Sequence, residues 1–158
     1  MEQTDAPLSK KDVTVVEKTA KKLLDTLGIE ATLTAATNQD TIELVLETQD
    51  SGVVIGYHGE ALESLQLLIA LAASKKIGRF IRVSLEVGDY KKNRISWLEN
   101  LAFSAKEEAV AKQQEVLLPS LKSWERRIVH MYLADDKDIV SESVGEGRDR
   151  TLVVKPRT

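Results

Sequence analysis

The chain has 158 residues, 42% of them hydrophobic and 30% charged, with a net charge of −3 at pH 7 and no cysteine. That is enough for one domain or two small ones and too apolar for a disordered chain. The absence of thiols excludes a disulfide framework and thiolate chemistry. Residues 1–50 carry 5 basic and 10 acidic groups, 51–100 carry 7 and 5, and 101–158 carry 10 and 10, so the acidic excess lies in the first third. Local clusters matter more than the total for contact with phosphate. No apolar run approaches the roughly 20 residues of a spanning helix, and the polar start MEQTDAPLSKK lacks the apolar core of a signal peptide. The expectation is a cytoplasmic chain with no direct membrane insertion.

In chain order, Ser9 and Asp12 read as a capping box, with Leu8 and Val13 as a hydrophobic staple. Val13, Val16, Ala20, Leu23, Leu24 and Leu27 follow at helical spacing, and Gly28 ends the helix. Ile29–Ala35 and Thr41–Thr48 read as strands joined by a turn at Asn38-Gln39-Asp40. Val53–Ile55 reads as one short helical turn. Glu60–Lys76 is a helix whose apolar face of Ala61, Leu62, Leu65, Leu68, Ile69 and Ala72 is widened by Leu67 and Leu71, which predicts burial on more than one side. Gly78 ends it, and Arg79–Val87 is a strand with Ile81, Val83, Leu85 and Val87 inward. Asp89 then caps a long helix over Tyr90–Gln113. Trp124–Ala134 is helical, with Ile128, Met131 and Tyr132 as core candidates, and Ile139–Ser143 and Thr151–Lys155 are strands around a loop from Gly145 to Arg150. The fold class is α/β (α+β), in two small modules that meet after Gly88.

The stretch Ile55-Gly56-Tyr57-His58-Gly59 joins an apolar triplet to the start of a long helix. Glycine lets backbone approach a ligand without a Cβ in the way, and a helix start offers unpaired N–H groups to an anion. A phosphodiester strand suits that arrangement, whereas a turn is the plain alternative. Lys91, Lys92 and Arg94 sit in the first turns of a helix, against its dipole. They read either as a site for an anionic partner or as a solvated helix end balanced by Asp89. Arg126 and His130 share a helix face one turn apart, beside Arg127, and the loop arginines Arg148 and Arg150 would complete one basic surface with them. Helix surface near Glu125 is the plain alternative there. Lys75, Lys76 and Arg79 straddle a helix end, where the dipole alone accounts for the two lysines.

Catalysis finds little support. His58 and His130 are the only histidines, there is no evident metal cluster, and no nucleophile-elbow, Walker or dinucleotide-binding pattern occurs. No cofactor is expected.

With its surrounding helices and strands, Ile55-Gly56-Tyr57-His58-Gly59 resembles a type II KH domain. Glu125-Arg126-Arg127-Ile128-Val129-His130, with the later Ser143-x-Gly145-x-Gly147-x-x-Arg150, resembles the single-strand-binding domain named for its Arg-x-x-x-His motif. The tandem resembles the bacterial Jag (SpoIIIJ-associated, KhpB-like) family of RNA-binding proteins. That resemblance implies a tail over 1–9, a KH domain over 10–88 and an Arg-x-x-x-His domain over 89–158. It further implies a cytoplasmic single-stranded RNA binder linked to cell elongation and division, pairing with a small KH-only protein or with itself. By position, Gly56 and Gly59 would hold the backbone of the RNA, Ile55 would line the base groove, and Arg126 and His130 would be the signature pair of the second domain. Lys75, Arg79, Lys91, Arg94, Arg127, Arg148 and Arg150 would add basic contacts. Members usually carry arginine inside the Gly-x-x-Gly loop, where this chain has Tyr57-His58, and the N-terminal domain of longer members has no counterpart in these residues. A protein-interaction adaptor docking another KH protein is the second reading, and an undetected enzyme the third.

Overall fold

In the computed structural model, residues 7–157 are described, and the side chain of Arg148 lies outside the description. The chain forms two compact units that divide between Lys91 and Lys92.

The first unit opens with α1 (Lys10–Thr26). Its cap is a reciprocal pair: Asp12 N–H donates to Ser9 Oγ at 3.2 Å, and Ser9 N–H donates to the Asp12 carboxylate at 2.9 Å. Gly28, at φ 71°, lets the chain reverse, and Ile29 N–H closes back onto Leu24 O at 3.0 Å. Ile29 therefore completes the helix stop, and β1 begins later than the sequence suggests, at Thr32–Asn38. It makes a tight antiparallel hairpin with β2 (Thr41–Glu47), with Asn38 opposite Thr41. After the short α2 (Ser51–Ile55) and the long α3 (Glu60–Ile77), β3 (Arg82–Val87) returns parallel to β2, giving the order β1-β2-β3. The core is aliphatic: Val16, Ala20 and Leu24 of α1, Ile42, Leu44 and Leu46 of β2, and Leu62, Leu65, Ile69 and Ala73 of α3 are buried with the alternating residues of β3.

One expectation fails here. Leu67, Leu68 and Leu71 of α3 are 58%, 54% and 53% exposed. The inward face of α3 is set by Leu62, Leu65, Ile69 and Ala73, and among the described residues of this unit no second layer covers the opposite side of the helix.

The second unit carries most of α4 (Tyr90–Lys112), then β4 (Val116–Leu117), α5 (Ser123–Leu133), β5 (Ile139–Val144) and β6 (Thr151–Pro156). Its sheet is antiparallel, with β6 between β4 and β5. Leu98, Ala102, Ala105 and Ala109 give α4 a narrow buried seam at helical spacing. The small alanines bring it close to Val129, Leu133, Ile139, Leu152 and Val154.

Met131 and Tyr132, expected in this core, are 64% and 49% exposed. The inward row of α5 is instead Glu125, Val129 and Leu133. Glu125 is 1% exposed and faces Arg94 of α4, with Arg94 Nε donating at 2.7 Å. This buried pair rolls α5 away from the phase that its apolar residues alone suggest. A second pair, Lys106 to Asp136 at 2.6 Å, lies three turns further along α4 and just past the end of α5. The Lys106 ammonium, followed by the Asp138 backbone N–H, holds the Asp136 carboxyl below the ordinary carboxylate range.

Candidate nucleic-acid interface

The Gly-x-x-Gly loop is shaped by its backbone. Gly56 has φ 67° and Gly59 φ 80°, a left-handed region open to glycine at little cost. Space is as restrictive as the torsions: a Cβ on Gly56 would lie 2.6 Å from Ala61 Cβ, and one on Gly59 would lie 2.8 Å from Tyr90 Oη. Between them His58 is itself left-handed at φ 49°, which is uncommon for a residue with a side chain. This turn stacks the Tyr57 and His58 rings at 4.1 Å with 15° between their planes, and both are exposed. The loop delivers the chain directly into α3, while Ile55 packs half-buried against the core behind it. Glu60 and Glu63 in the first turn suit the helix dipole but oppose an incoming phosphate. The loop can therefore offer backbone N–H groups and a two-ring surface, with little positive charge.

The basic candidates separate when placed in the fold. Lys75 and Arg79 lie at the far end of α3, about 22 Å from the loop at 1.5 Å per residue, so they cannot serve the same phosphate. Arg79 Nη2 pairs with Asp12 at 2.7 Å and also donates to Pro7 O, tying the start of α1 to the end of α3. Lys91 pairs with Glu86 at 3.2 Å and reaches Ser84 Oγ at 3.0 Å. Arg94 is buried against Glu125. The helix-start cations that run against the dipole thus have internal carboxylates in two cases of three, and Arg94 is corrected from a phosphate contact to a core ion pair. Lys92 stays exposed.

Arg126, His130 and Arg150 do converge. Arg126 Nη1 donates to Leu121 O at 2.6 Å and to Arg150 O at 3.3 Å, and its Nη2 donates to Ser123 Oγ at 3.1 Å. His130 Nδ1 lies 2.7 Å from Ser141 Oγ on β5, leaving Nε2 as the ring nitrogen open to a ligand. Arg150 Nε donates to Ser143 Oγ at 2.7 Å. Ser141 and Ser143 are two apart on β5 and share the face turned to α5. The signature pair therefore staples α5 to the hairpin of β5 and β6. The hairpin loop is closed tightly: Gly145 has φ 89°, and a Cβ there would meet Asp149 O at 2.8 Å. Arg127 is exposed on α5. Arg148 belongs to the helical turn Gly147–Asp149. The anchoring roles of Ser123 and Ser141 escape a reading of the sequence, in which only alternation along β5 points to Ser141.

Among the described residues no group of three or more histidines, cysteines or carboxylates is placed to hold a metal ion, and no helix is long and apolar enough to cross a membrane.

Two small mixed modules, one built around a glycine loop and one around an Arg-x-x-x-His helix, define the class: a KH domain followed in tandem by an Arg-x-x-x-His domain. A family model described as the KhpA/KhpB KH domain matches residues 13–87, and the model of the Arg-x-x-x-His domain matches 96–156. RNA-binding protein KhpB of Clostridium symbiosum is 30% identical over 136 residues, 85% of this chain and 61% of that protein. RNA-binding protein KhpB of Lactiplantibacillus plantarum is 30% identical over 131 residues, 83% of this chain and 41% of that protein. That of Bacillus subtilis is 24% identical over 134 residues, 84% and 64% respectively. The chain belongs to the bacterial Jag, KhpB-like family, and spans about two-fifths to two-thirds of the length of these relatives. Both matched models are of binding domains, and the relatives are named for RNA binding rather than for a reaction.

Proposed function

We propose that this chain binds single-stranded RNA without covalent chemistry, using the Gly56–Gly59 loop in the first unit and the Arg126–His130–Arg150 surface in the second. The observation that carries the reading is the loop backbone. Two glycines in a left-handed conformation, each with no room for a Cβ, stand at the start of α3. Backbone held in that form brings N–H groups within reach of a phosphodiester. The names of the relatives support the same ligand. Because the loop lacks arginine, hydrogen bonding and ring contact would do more there than charge. Arg127, Arg148 and Arg150 would supply the electrostatic part in the second unit. Domain limits of 10–88 and 89–158, cytoplasmic residence, and a role as a post-transcriptional regulator of elongation or division belong to this proposal.

The test is binding of a labelled oligoribonucleotide by the native protein and by Tyr57→Asp/His58→Asp. Two carboxylates at the loop should weaken binding and leave thermal melting unchanged, since both side chains are exposed. Unchanged affinity would remove the first unit from the interface. Affinity should also fall with salt, by about 0.7 log units per log unit for each phosphate neutralised on a single strand.

A second reading rests on Leu67, Leu68 and Leu71, an exposed apolar stripe on α3. It makes the first unit an adaptor for a small KH-only protein or a second copy. A complex that survives ribonuclease and is lost on Leu68→Asp/Leu71→Asp would favour it.

A further inference from the structure

Of the two tryptophans, three tyrosines and two phenylalanines in the chain, only Tyr90 is largely covered. Trp97 is 43% exposed, Trp124 37%, Tyr132 49%, Phe103 52%, Phe80 64% and Tyr57 74%, and both cores are aliphatic among the described residues. Aromatic rings usually supply core area, so rings left outside need a surface reason. Trp97 has the most specific setting. Arg94 lies one helical turn before it, with its guanidinium carbon 4.2 Å from the Trp97 ring centroid. That guanidinium cannot swing away: its side chain is 9% exposed, and its Nε is fixed to Glu125 at 2.7 Å. The other Glu125 oxygen accepts from Lys122 N–H at 2.8 Å. Nη2 of Arg94 is buried and has no hydrogen-bond partner among the described residues. One face of Trp97 therefore rests on a fixed cation that its carboxylate partner engages at Nε alone.

We infer that Trp97 is a stacking platform for a nucleobase of the bound single strand, with purines preferred. The inference rests on the RNA-binding reading above and adds a site outside the Arg-x-x-x-His face. A cation beneath an indole draws π density towards itself. The opposite face is then a better partner for a large, electron-rich ring system, and a purine overlaps it more fully than a pyrimidine. Base–aromatic stacking tolerates any sequence but grades by stacking strength. Location agrees: Glu125, which fixes Arg94, is the chain neighbour of Arg126, so platform and signature surface flank the same first turn of α5. Apart from the buried Arg94, the polar side chains one turn either side of Trp97 are Asn93 and Asn100, both exposed and both uncharged. Neither attracts a phosphate to the ring. A carboxamide can instead bond the edge of a stacked base, and its two-pronged fit to adenine N6 and N7 favours a purine.

The test uses the full chain with Trp124→Phe, so that Trp97 is the sole indole. Titration with oligoadenylate should quench its fluorescence, and oligouridylate should quench it less. Trp97→Ala should lower affinity for oligoadenylate roughly 5- to 150-fold, the range for one base–aromatic stack. It should also erase the preference over oligouridylate and leave the salt slope unchanged, because no phosphate contact is lost. Trp97→Tyr should restore most of the loss. If the native protein binds RNA while Trp97→Ala binds equally and no quenching occurs, the platform is overturned and the RNA reading stands. If the native protein binds neither oligonucleotide, both are overturned. If Trp97→Ala changes only the sedimentation of the protein, the ring belongs to an interface between copies and the inference is wrong.

Discussion

The loop from Gly56 to Gly59 and the loop from Gly145 to Arg150 both hold irregular backbone still at a surface, by different means. The first is fixed from within: its glycines are packed against Ala61 and Tyr90, and the outward side chains, Tyr57 and His58, carry none of the restraint. The second is fixed from outside, by Arg126 on Arg150 O and by Ser143 on Arg150 Nε, with His130 gripping the strand behind it. A backbone-built loop should tolerate changes of exposed side chain that leave the left-handed φ of His58 accessible, and no Cβ added at either glycine. A side-chain-built loop should fail when a distant helix residue changes. The same contrast runs deeper: among the described residues the first unit adds only Asp12 and Thr19 of α1 to an aliphatic core, whereas the second encloses an arginine paired with a glutamate.

The largest effect is expected from the enclosed charges. Glu125→Ala leaves Arg94 buried without a counter-charge and should destabilise the second unit by about 3–5 kcal/mol. Replacing both residues with apolar ones of similar volume should cost far less. Amide hydrogen exchange checks this: protection should drop across 92–157 and hold across 7–91. Equal loss in both units would mean that they do not unfold independently.

Next comes Gly59→Ala, which forces a side chain into a left-handed turn and against the Tyr90 ring. A strain of about 1–3 kcal/mol is expected, read as a lower melting temperature for the first unit. RNA affinity should fall further than for any single change at Tyr57 or His58.

A smaller change, Arg126→Lys, keeps the charge but loses the fork that reaches Leu121 O, Arg150 O and Ser123 Oγ. A cost of about 1–2 kcal/mol follows from losing charged hydrogen bonds. The specific readout is faster amide exchange at 145–150. If that exchange is unchanged while RNA affinity falls, Arg126 touches the ligand and does not brace the loop.

The smallest effect is in acid. The Ser9 backbone N–H, then Ser9 Oγ and the Arg79 guanidinium, hold the Asp12 carboxyl below its ordinary value. Its folded pKa thus lies under the unfolded one. The stability it adds is full above the unfolded value and is lost as pH falls through the lowered folded value. Melting of the first unit should therefore soften in strong acid, and Asp12→Asn should lower stability near neutrality while flattening that acid limb.

Local chemistry is legible in the sequence. The Ser9–Asp12 cap, the Gly28 and Gly78 stops, the inward row of β3 and the glycine loop each rest on residues close together in the chain. What stays hidden depends on partners far away. Glu125 reads as surface because a carboxylate on a helix is usually solvated, and only its encounter with Arg94, 31 residues earlier, turns it inward and displaces Met131 and Tyr132 from the core. Leu67, Leu68 and Leu71 read as buried because their apolar character is clear, but a helix pattern cannot say whether a second layer exists. Arg126 is found by spacing. That its guanidinium faces carbonyl oxygens of its own chain is not.

The Tyr90 ring has a practical consequence for anyone who would divide this protein. By its sequence the chain parts at Gly88, yet the residue that backs Gly59 is Tyr90, at the first position of α4. A gene fragment stopping at 88 would encode every strand and glycine of the first unit and still leave its loop without a floor. Binding assays on that fragment would record the weakness of the cut, not of the domain. A fragment running through Lys91, where the first unit ends, keeps the ring, and a negative result on it could be taken at face value.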